Sequence, residues 1–265
     1  MSEVSLMIPT YNRVDVLMGS IESAQHQTLQ DIDILVYDDG STDGTADIVS
    51  DLAKQDKRIT LKVAEHSGQE GVIRNALLKM VKTKYGMWQD SDDYSNAYRV
   101  EMMLDIFKKT NPSLLWCCVM AHRKPVGKLW EKFPFYSRKI SRMVATTMFR
   151  MDKAVSYRED IWVGSDGVWA NQMMERHGES MILPFMLYHV TYTRNDRMSV
   201  IWKDPRNREK YKDGVKIKKA LVESSQKAMR IKGQDDKPQC VPEVLCHELL
   251  REKSGIDYPE YWKGI

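Results

Sequence analysis

The sequence predicts an α/β protein: a mixed, doubly wound sheet flanked by helices, with a helical C-terminal extension. Three observations carry this expectation. Short apolar runs alternate with helix-period segments through the first 120 residues, as in a chain that lays strand beside strand through helical crossovers. One of those runs, 34–37, shows no polar alternation, as a strand covered on both faces does, and both it and the run 85–89 lead into acidic clusters at the carboxyl end, where ligands collect in open α/β sheets. After residue 203 the chain turns Lys-rich and helical.

In order, strand 4–8 is closed by Pro9, and Thr10, Tyr11, Asn12 and Arg13 lead into a helix over 14–27. Strand 31–38 ends at Asp38 and Asp39, and the turn residues Gly40 to Thr45 start a helix over 42–54, capped by Ser41 or Thr42. Its buried side is Ala46, Ile48, Val49, Leu52 and Ala53. A third strand, 59–64, is followed by a glycine-containing loop, 66–71, and by helix 72–81 with Ile73, Ala76, Leu77 and Met80 on one face. The fourth strand, 85–89, delivers Asp90, Ser91, Asp92 and Asp93. Helix 96–109 then stops at Asn111 and Pro112, and 114–120 forms a dense apolar strand.

Residues 122–141 are long for an inert connection, so they read as a functional or mobile loop. Trp130, Phe133, Phe135 and Tyr136 there, with Trp162 and Trp169 later, offer aromatic faces to a ligand or to the core. A strand over 143–150, a helix over 165–177 stopped by Gly178, and short strands at 181–183 and 187–193 complete residues 1–202. The extension, 203–265, ends in a segment over 241–253.

At 265 residues and 42% hydrophobic content, the chain can bury one sizeable core. Forty Lys and Arg against 37 Asp and Glu leave +3, too balanced for a nucleic-acid partner. No apolar run reaches the roughly 20 residues of a membrane helix, and the first residues carry no signal pattern, so the expected location is the cytoplasm. The four cysteines read as reduced thiols, and Cys240, Cys246 and His247 lack zinc-site spacing.

Crowded carboxylates repel unless something compensates them. A hard divalent cation with open positions for phosphate oxygens accounts for Asp90, Asp92 and Asp93 better than helix capping does. An EF-hand starting at Asp39 fails because its twelfth position is Ser50. The GxxxxGK[ST] and GxGxxG loops are absent. A dehalogenase-type phosphatase needs acids separated by one residue, where DDGST has adjacent ones.

The run VSLMIPTYNR, then DILVYDDGSTDGT, the pair Arg74 and Asn75, and WQDSDD resemble, in order and spacing, family 2 glycosyltransferases of the GT-A fold. The match covers the first 115 residues closely. The resemblance implies a GT-A domain over 1–202, with a nucleotide-binding half at 1–120 and an acceptor half at 121–202. It also implies inverting transfer from a nucleotide-sugar donor, a UDP-sugar first among them, to a hydroxyl on a glycan, lipid-linked or other acceptor, with Mn2+ or Mg2+ as cofactor. The donor falls to Pro9, Thr10, Tyr11, Arg13, Asp39, Arg74 and Asp92, and the metal to Asp90, Asp92 and Asp93.

The general base is assigned to Asp166, with Asp160 of the Glu159 and Asp160 pair as the alternative. Tyr192, Arg194, Asp196 and Ser199 resemble a family segment in which His is usual where Asp196 stands, with His189 as a possible substitute. The basic stretch 203–232 offers peripheral contact to a membrane surface or to an anionic acceptor. A metal-dependent phosphohydrolase and a non-catalytic nucleotide-sugar-binding protein are the competing readings.

Overall fold

The computed structural model describes residues 2–122, 127–132, 134, 143–161, 164–191, 208–232 and 238–254. Four strands run parallel in the order β3 (Ile59–Val63), β2 (Ile32–Asp38), β1 (Val4–Thr10), β4 (Tyr85–Trp88). Next to β4, β7 (Thr147–Arg150) runs antiparallel, and beyond it lie β6 (Leu115–His122) and β8 (Met181–Thr191), parallel to each other. Two short strands finish the far edge: β5 (Tyr94–Ser95) antiparallel and β9 (Gln239–Cys240) parallel, both on β8. The sheet is therefore mixed, as the sequence predicts.

Side-chain alternation along the central strands divides the core in two. Leu6, Ile8, Ile34 and Val36 face a layer with α1 (Leu17–Gln25), α2 (Thr45–Gln55) and α4 (Arg99–Thr110). Met7, Leu35 and Tyr37 face the opposite layer, with α3 (Glu70–Met80) and α5 (Ser165–His177). Such two-sided cover is why these strands read as unbroken apolar runs. The extension joins both layers: Met229 of α6 (Arg208–Ile231) enters the second, while Val241, Cys246, Leu249 and Leu250, on and before α7 (Glu243–Ser254), enter the first.

Local side-chain chemistry moves three predicted boundaries. Ser41 does not cap α2; its hydroxyl accepts from Asn12 N at 2.8 Å, and the helix begins after Gly44 with Asp43 accepting from Thr45 N at 3.0 Å. Residues 144–146 form a 3-10 turn rather than strand, because the Thr146 and Thr147 hydroxyls donate to the carbonyls of Met143 and Val144, each at 2.7 Å. The two strands expected at 181–193 are one, β8, with the interruption at Pro184 absorbed by register shifts opposite Cys117, Cys118 and Val119. Cys240 is exposed on a strand, whereas Cys117, Cys118 and Cys246 are buried thiols.

Candidate active site

The carboxyl ends of β1, β2 and β3 form one interlocked surface. Asn12 takes a left-handed turn at φ 48, its amide donating to Ser41 Oγ and its side-chain oxygen accepting from Thr42 N at 2.9 Å. Gly40 sits at φ +77, where a Cβ would stand 2.8 Å from His66 N, so only glycine lets the loop after β3 close on the loop after β2. That closure occupies Asp39: Oδ1 accepts from Ser67 N at 3.0 Å and Ser67 Oγ at 2.8 Å, Oδ2 accepts from Gly68 N at 2.9 Å, and His66 Nδ1 lies 2.9 Å from Oδ2 and 3.0 Å from the Asp39 backbone oxygen. A ligand donor reaching Asp39 would exchange with one of these partners, the Ser67 hydroxyl being the most easily turned.

Tyr11 stacks on His66 with ring centroids 4.0 Å apart, presenting two aromatic planes at the rim. Pro9 lies half-buried on β1, and the Thr10 hydroxyl is buried with no hydrogen-bond partner. Arg13 is half-buried and anchored through its backbone N to Thr45 Oγ1 at 2.9 Å.

The second focus is Arg74 on α3, 3% exposed and surrounded by three acids. Its Nε donates to Glu70 Oε1 at 3.0 Å and stands 3.0 Å from Asp166 Oδ1, while Nη2 lies 3.3 Å from Asp90 Oδ1. Below the guanidinium lie the Trp88 ring, 4.8 Å from Cζ to centroid, and the Tyr157 ring, itself stacked on Trp169. Glu70 is tied to the start of α5 by the Ser165 hydroxyl at 2.7 Å.

Neighbours set the proton affinities here. Burial pushes Asp166 well above the usual carboxylate range, and the charges of Glu70 and Asp90 reinforce this against Arg74. Asp90 is raised mainly by burial, with Asp92 and Glu70 adding to it. Glu70 ends below its ordinary value, because Arg74 and the Ser165 hydroxyl outweigh burial.

The structure therefore brings Arg74, Asp90 and Asp166 together from α3, the loop after β4 and α5. Asp92 is half-buried beside them, its charge felt by Asp90. Asp93 is 1% exposed, with Oδ1 accepting from Thr191 N at 3.4 Å. Asp160 is exposed and held by Arg158 Nε at 2.7 Å, away from the Arg74 cluster. His189 is buried, with Nδ1 2.9 Å from His122 Nε2, and burial brings its pKa down to about 4. Tyr192, Arg194, Asp196, Ser199, Trp162, Phe133, Phe135 and Tyr136 lie outside the described residues. Trp130 and Trp169 are core side chains, 2% and 0% exposed, and present no face to a sugar.

Sequence reasoning missed Glu70, His66, Ser165 and Tyr157. The i, i+4 spacing of Glu70 and Arg74 was a readable signal for the first; the others depend on chain crossings. Asn75 supplies one such crossing, donating to Tyr157 O at 3.0 Å and to Glu159 Oε1 at 2.8 Å, so the Arg74 and Asn75 pair holds both the acids and the loop before α5.

A cavity of about 340 Å3 opens beside the acids, lined by Asp90, Asp166 and Gly167 at one end and by Trp116, Ala145 and Gln226 farther in. Among the described residues, no three His, Cys, Asp or Glu side chains form a ready-made cation cage. Asp90 and Asp92 still supply hard carboxylate oxygens at one strand end, the chemistry of a cation held mainly by a ligand's phosphates. No described helix is long and apolar enough to cross a membrane.

Similar folds and sequences exist among known proteins. A 94-residue stretch is 40% identical to the UDP-Glc:alpha-D-GlcNAc-diphosphoundecaprenol beta-1,3-glucosyltransferase WfaP of Escherichia coli, covering 36% of this chain and 37% of that protein. A 155-residue stretch is 31% identical to the chondroitin synthase of Escherichia coli, covering 56% of this chain and 22% of the relative. These matches thus span well under half of the relatives' length. The crystal structure of S. aureus TarS 1-349 in complex with UDP-GlcNAc superposes with a TM-score of 0.65 at 19% identity, over 97% of this chain and 74% of that one, and so shares the GT-A fold. The model of glycosyl transferase family 2 matches residues 5–176, which hold both the Tyr11 to His66 surface and the Arg74 cluster, and the chain belongs to that family.

Proposed function

We propose that the protein transfers a sugar from a UDP-sugar to an acceptor hydroxyl with inversion at the anomeric carbon, aided by Mn2+ or Mg2+. One observation carries the reading: Asp166, raised in proton affinity, stands 3.0 Å from Arg74 and lines, with Asp90, the same cavity. A base must hold a proton well enough to take it from a hydroxyl, yet be ionised before it does so. Burial supplies the first property and Arg74 the second.

The uracil and ribose are assigned to Tyr11, Thr10, Asp39 and Arg13, whose aromatic plane, unpartnered hydroxyl, buried carboxylate and cation suit a nucleotide. Asp92 and Asp90 would hold the cation, which when bound neutralises charge on the departing diphosphate. Asp93 is better read as a structural acid tying β5 to the end of β8. The WfaP relative's printed name, with a UDP-sugar donor and a lipid diphosphate acceptor, and the UDP-GlcNAc in the TarS complex support the donor class. Asp166 takes the proton of the acceptor hydroxyl as its oxygen attacks from the face opposite the diphosphate. Trp88 and Tyr157 beneath Arg74 keep that side of the site dry.

Incubating the full chain with UDP-glucose or UDP-GlcNAc and Mn2+ is expected to raise its melting temperature and, with acceptor, to release UDP; chelation by EDTA abolishes release. Phosphate release from simple phosphoesters without a sugar nucleotide would identify a phosphohydrolase instead. Binding without turnover in the presence of acceptor would mark a binding protein. An α-linked donor giving an α-linked product contradicts inversion.

A further inference from the structure

We propose that Lys218 of α6 recognises a phosphoryl group on the acceptor and holds it beside Asp166; the inference rests on the transferase reading above. α6 turns Val222, Ser225, Gln226 and Met229 toward the body and leaves Ile217, Lys219 and Lys227 exposed. Lys218 lies one turn before Val222 on that inward side and is half-buried. It therefore stands apart from the solvated lysines of the same helix.

Its side chain crosses the start of α5. Lys218 Cδ, Cε and Nζ fill the space where a Cβ on Gly164 would stand, and Cε and Nζ lie 3.5 Å and 3.9 Å from where one on Gly167 would be. Asp166 sits between those two glycines in the chain. Asp166 and Gly167 line the 340 Å3 cavity, and α6 itself contributes Gln226 to the same wall. One helix thus brings the ammonium next to Gly167, which lines the cavity that carries the base on another.

Sheet order separates this rim from the donor surface. The loops bearing Tyr11, Asp39 and His66 follow β1, β2 and β3, whereas the cavity reaches Trp116 on β6 and Ala145 ahead of β7, on the other side of β4. What enters the cavity with a hydroxyl at Asp166 is accordingly the acceptor. Of the two cations near the base among the described residues, Arg74 is already held by Glu70, Asp90 and Asp166. Among the described residues no carboxylate pairs with Lys218. An acceptor anion therefore meets Lys218 as the available charge, and a doubly ionisable phosphoryl group gains more from an ammonium than a carboxylate does.

The probes are sn-glycerol 3-phosphate, neutral glycerol and glucuronate, titrated by NMR into the full chain with UDP and Mn2+ present. Wild type is expected to bind glycerol 3-phosphate about tenfold more tightly than glycerol, roughly 1.4 kcal/mol, and to lose part of that preference in high salt. Lys218→Gln removes the preference and Lys218→Arg restores it. Lys219→Gln, on the exposed side and 3.9 Å from Glu223, retains it.

A preference that survives in Lys218→Gln, or equal binding of glycerol and its phosphate by wild type, overturns the inference. Glucuronate binding more tightly than glycerol 3-phosphate overturns the phosphoryl assignment. Near-ultraviolet circular dichroism establishes that each variant is folded. UDP-GlcNAc affinity is measured in parallel, so failure to bind the donor sinks the transferase reading while the phosphate preference is still read on its own.

Discussion

At Asp166, burial and the charges of Glu70 and Asp90 hold the proton on, while the Arg74 guanidinium draws it off. Asp166→Asn is expected to lower the transfer rate by about a thousandfold while leaving donor affinity within a few-fold, measured as UDP release and as donor titration. Asp160→Asn, at an exposed carboxylate paired with Arg158, is expected to remain close to wild type; the reverse outcome moves the base to Asp160. Because Asp166, as the proposed base, would work ionised and its proton affinity is raised, transfer should rise with pH along a limb above the ordinary carboxylate range. Arg74→Gln removes the one influence that lowers that affinity, so kcat/KM against pH should show the limb displaced further upward.

Linkage runs the same way. A carboxylate whose folded pKa lies above its unfolded one stabilises below the unfolded pKa and loses that contribution as pH rises through the folded pKa. Denaturant titrations at neutral pH should therefore find Asp166→Asn more stable relative to wild type than at acid pH. Both arms read the same group through different observables.

Between elements, two residues decide whether the site assembles. Arg99, fully buried at the start of α4, donates to Ser95 Oγ at 2.8 Å, Trp88 O at 2.8 Å and Ala145 O at 2.7 Å, binding β4, β5 and the turn before β7. Arg99→Met leaves two buried carbonyls without donors and is expected to cost about 3 kcal/mol in urea unfolding. Gly164 sits at φ +74 with Lys218 packed against it. Gly164→Ala is expected to lose about 1–3 kcal/mol from backbone strain and to displace Lys218 from the rim, seen as weaker glycerol 3-phosphate binding.

Over the whole molecule, the C-terminal extension is part of the core. Leu249 and Leu250 are buried in the α1, α2 and α4 layer, and Lys253 pairs with Glu101 at 2.8 Å and Asp105 at 2.9 Å on α4. Leu249→Ala is expected to cost about 2–5 kcal/mol, read from the urea midpoint. A chain ending before β9 should melt at markedly lower temperature, although it retains the residues of both site surfaces.

The alternating apolar runs, the acidic strand ends and the turn after β2 were legible in the sequence, because parallel strands buried on both faces and glycine turns leave local marks. The pairing of Asp166 rather than Asp160 with Arg74, the hydrogen bond of Asp93 to Thr191 and the occupation of Asp39 by residues 66–68 were not. Each depends on which segments cross in space, and a carboxylate's letters are the same whether it faces a ligand, a backbone amide or water. The sequence by itself determined the order of strands and helices and the chemistry at their ends, since both follow from local periodicity and residue type. Only the tertiary structure decided which acid shares Arg74, and that Lys218 lies over the start of α5, because burial and charge pairing arise when distant segments meet.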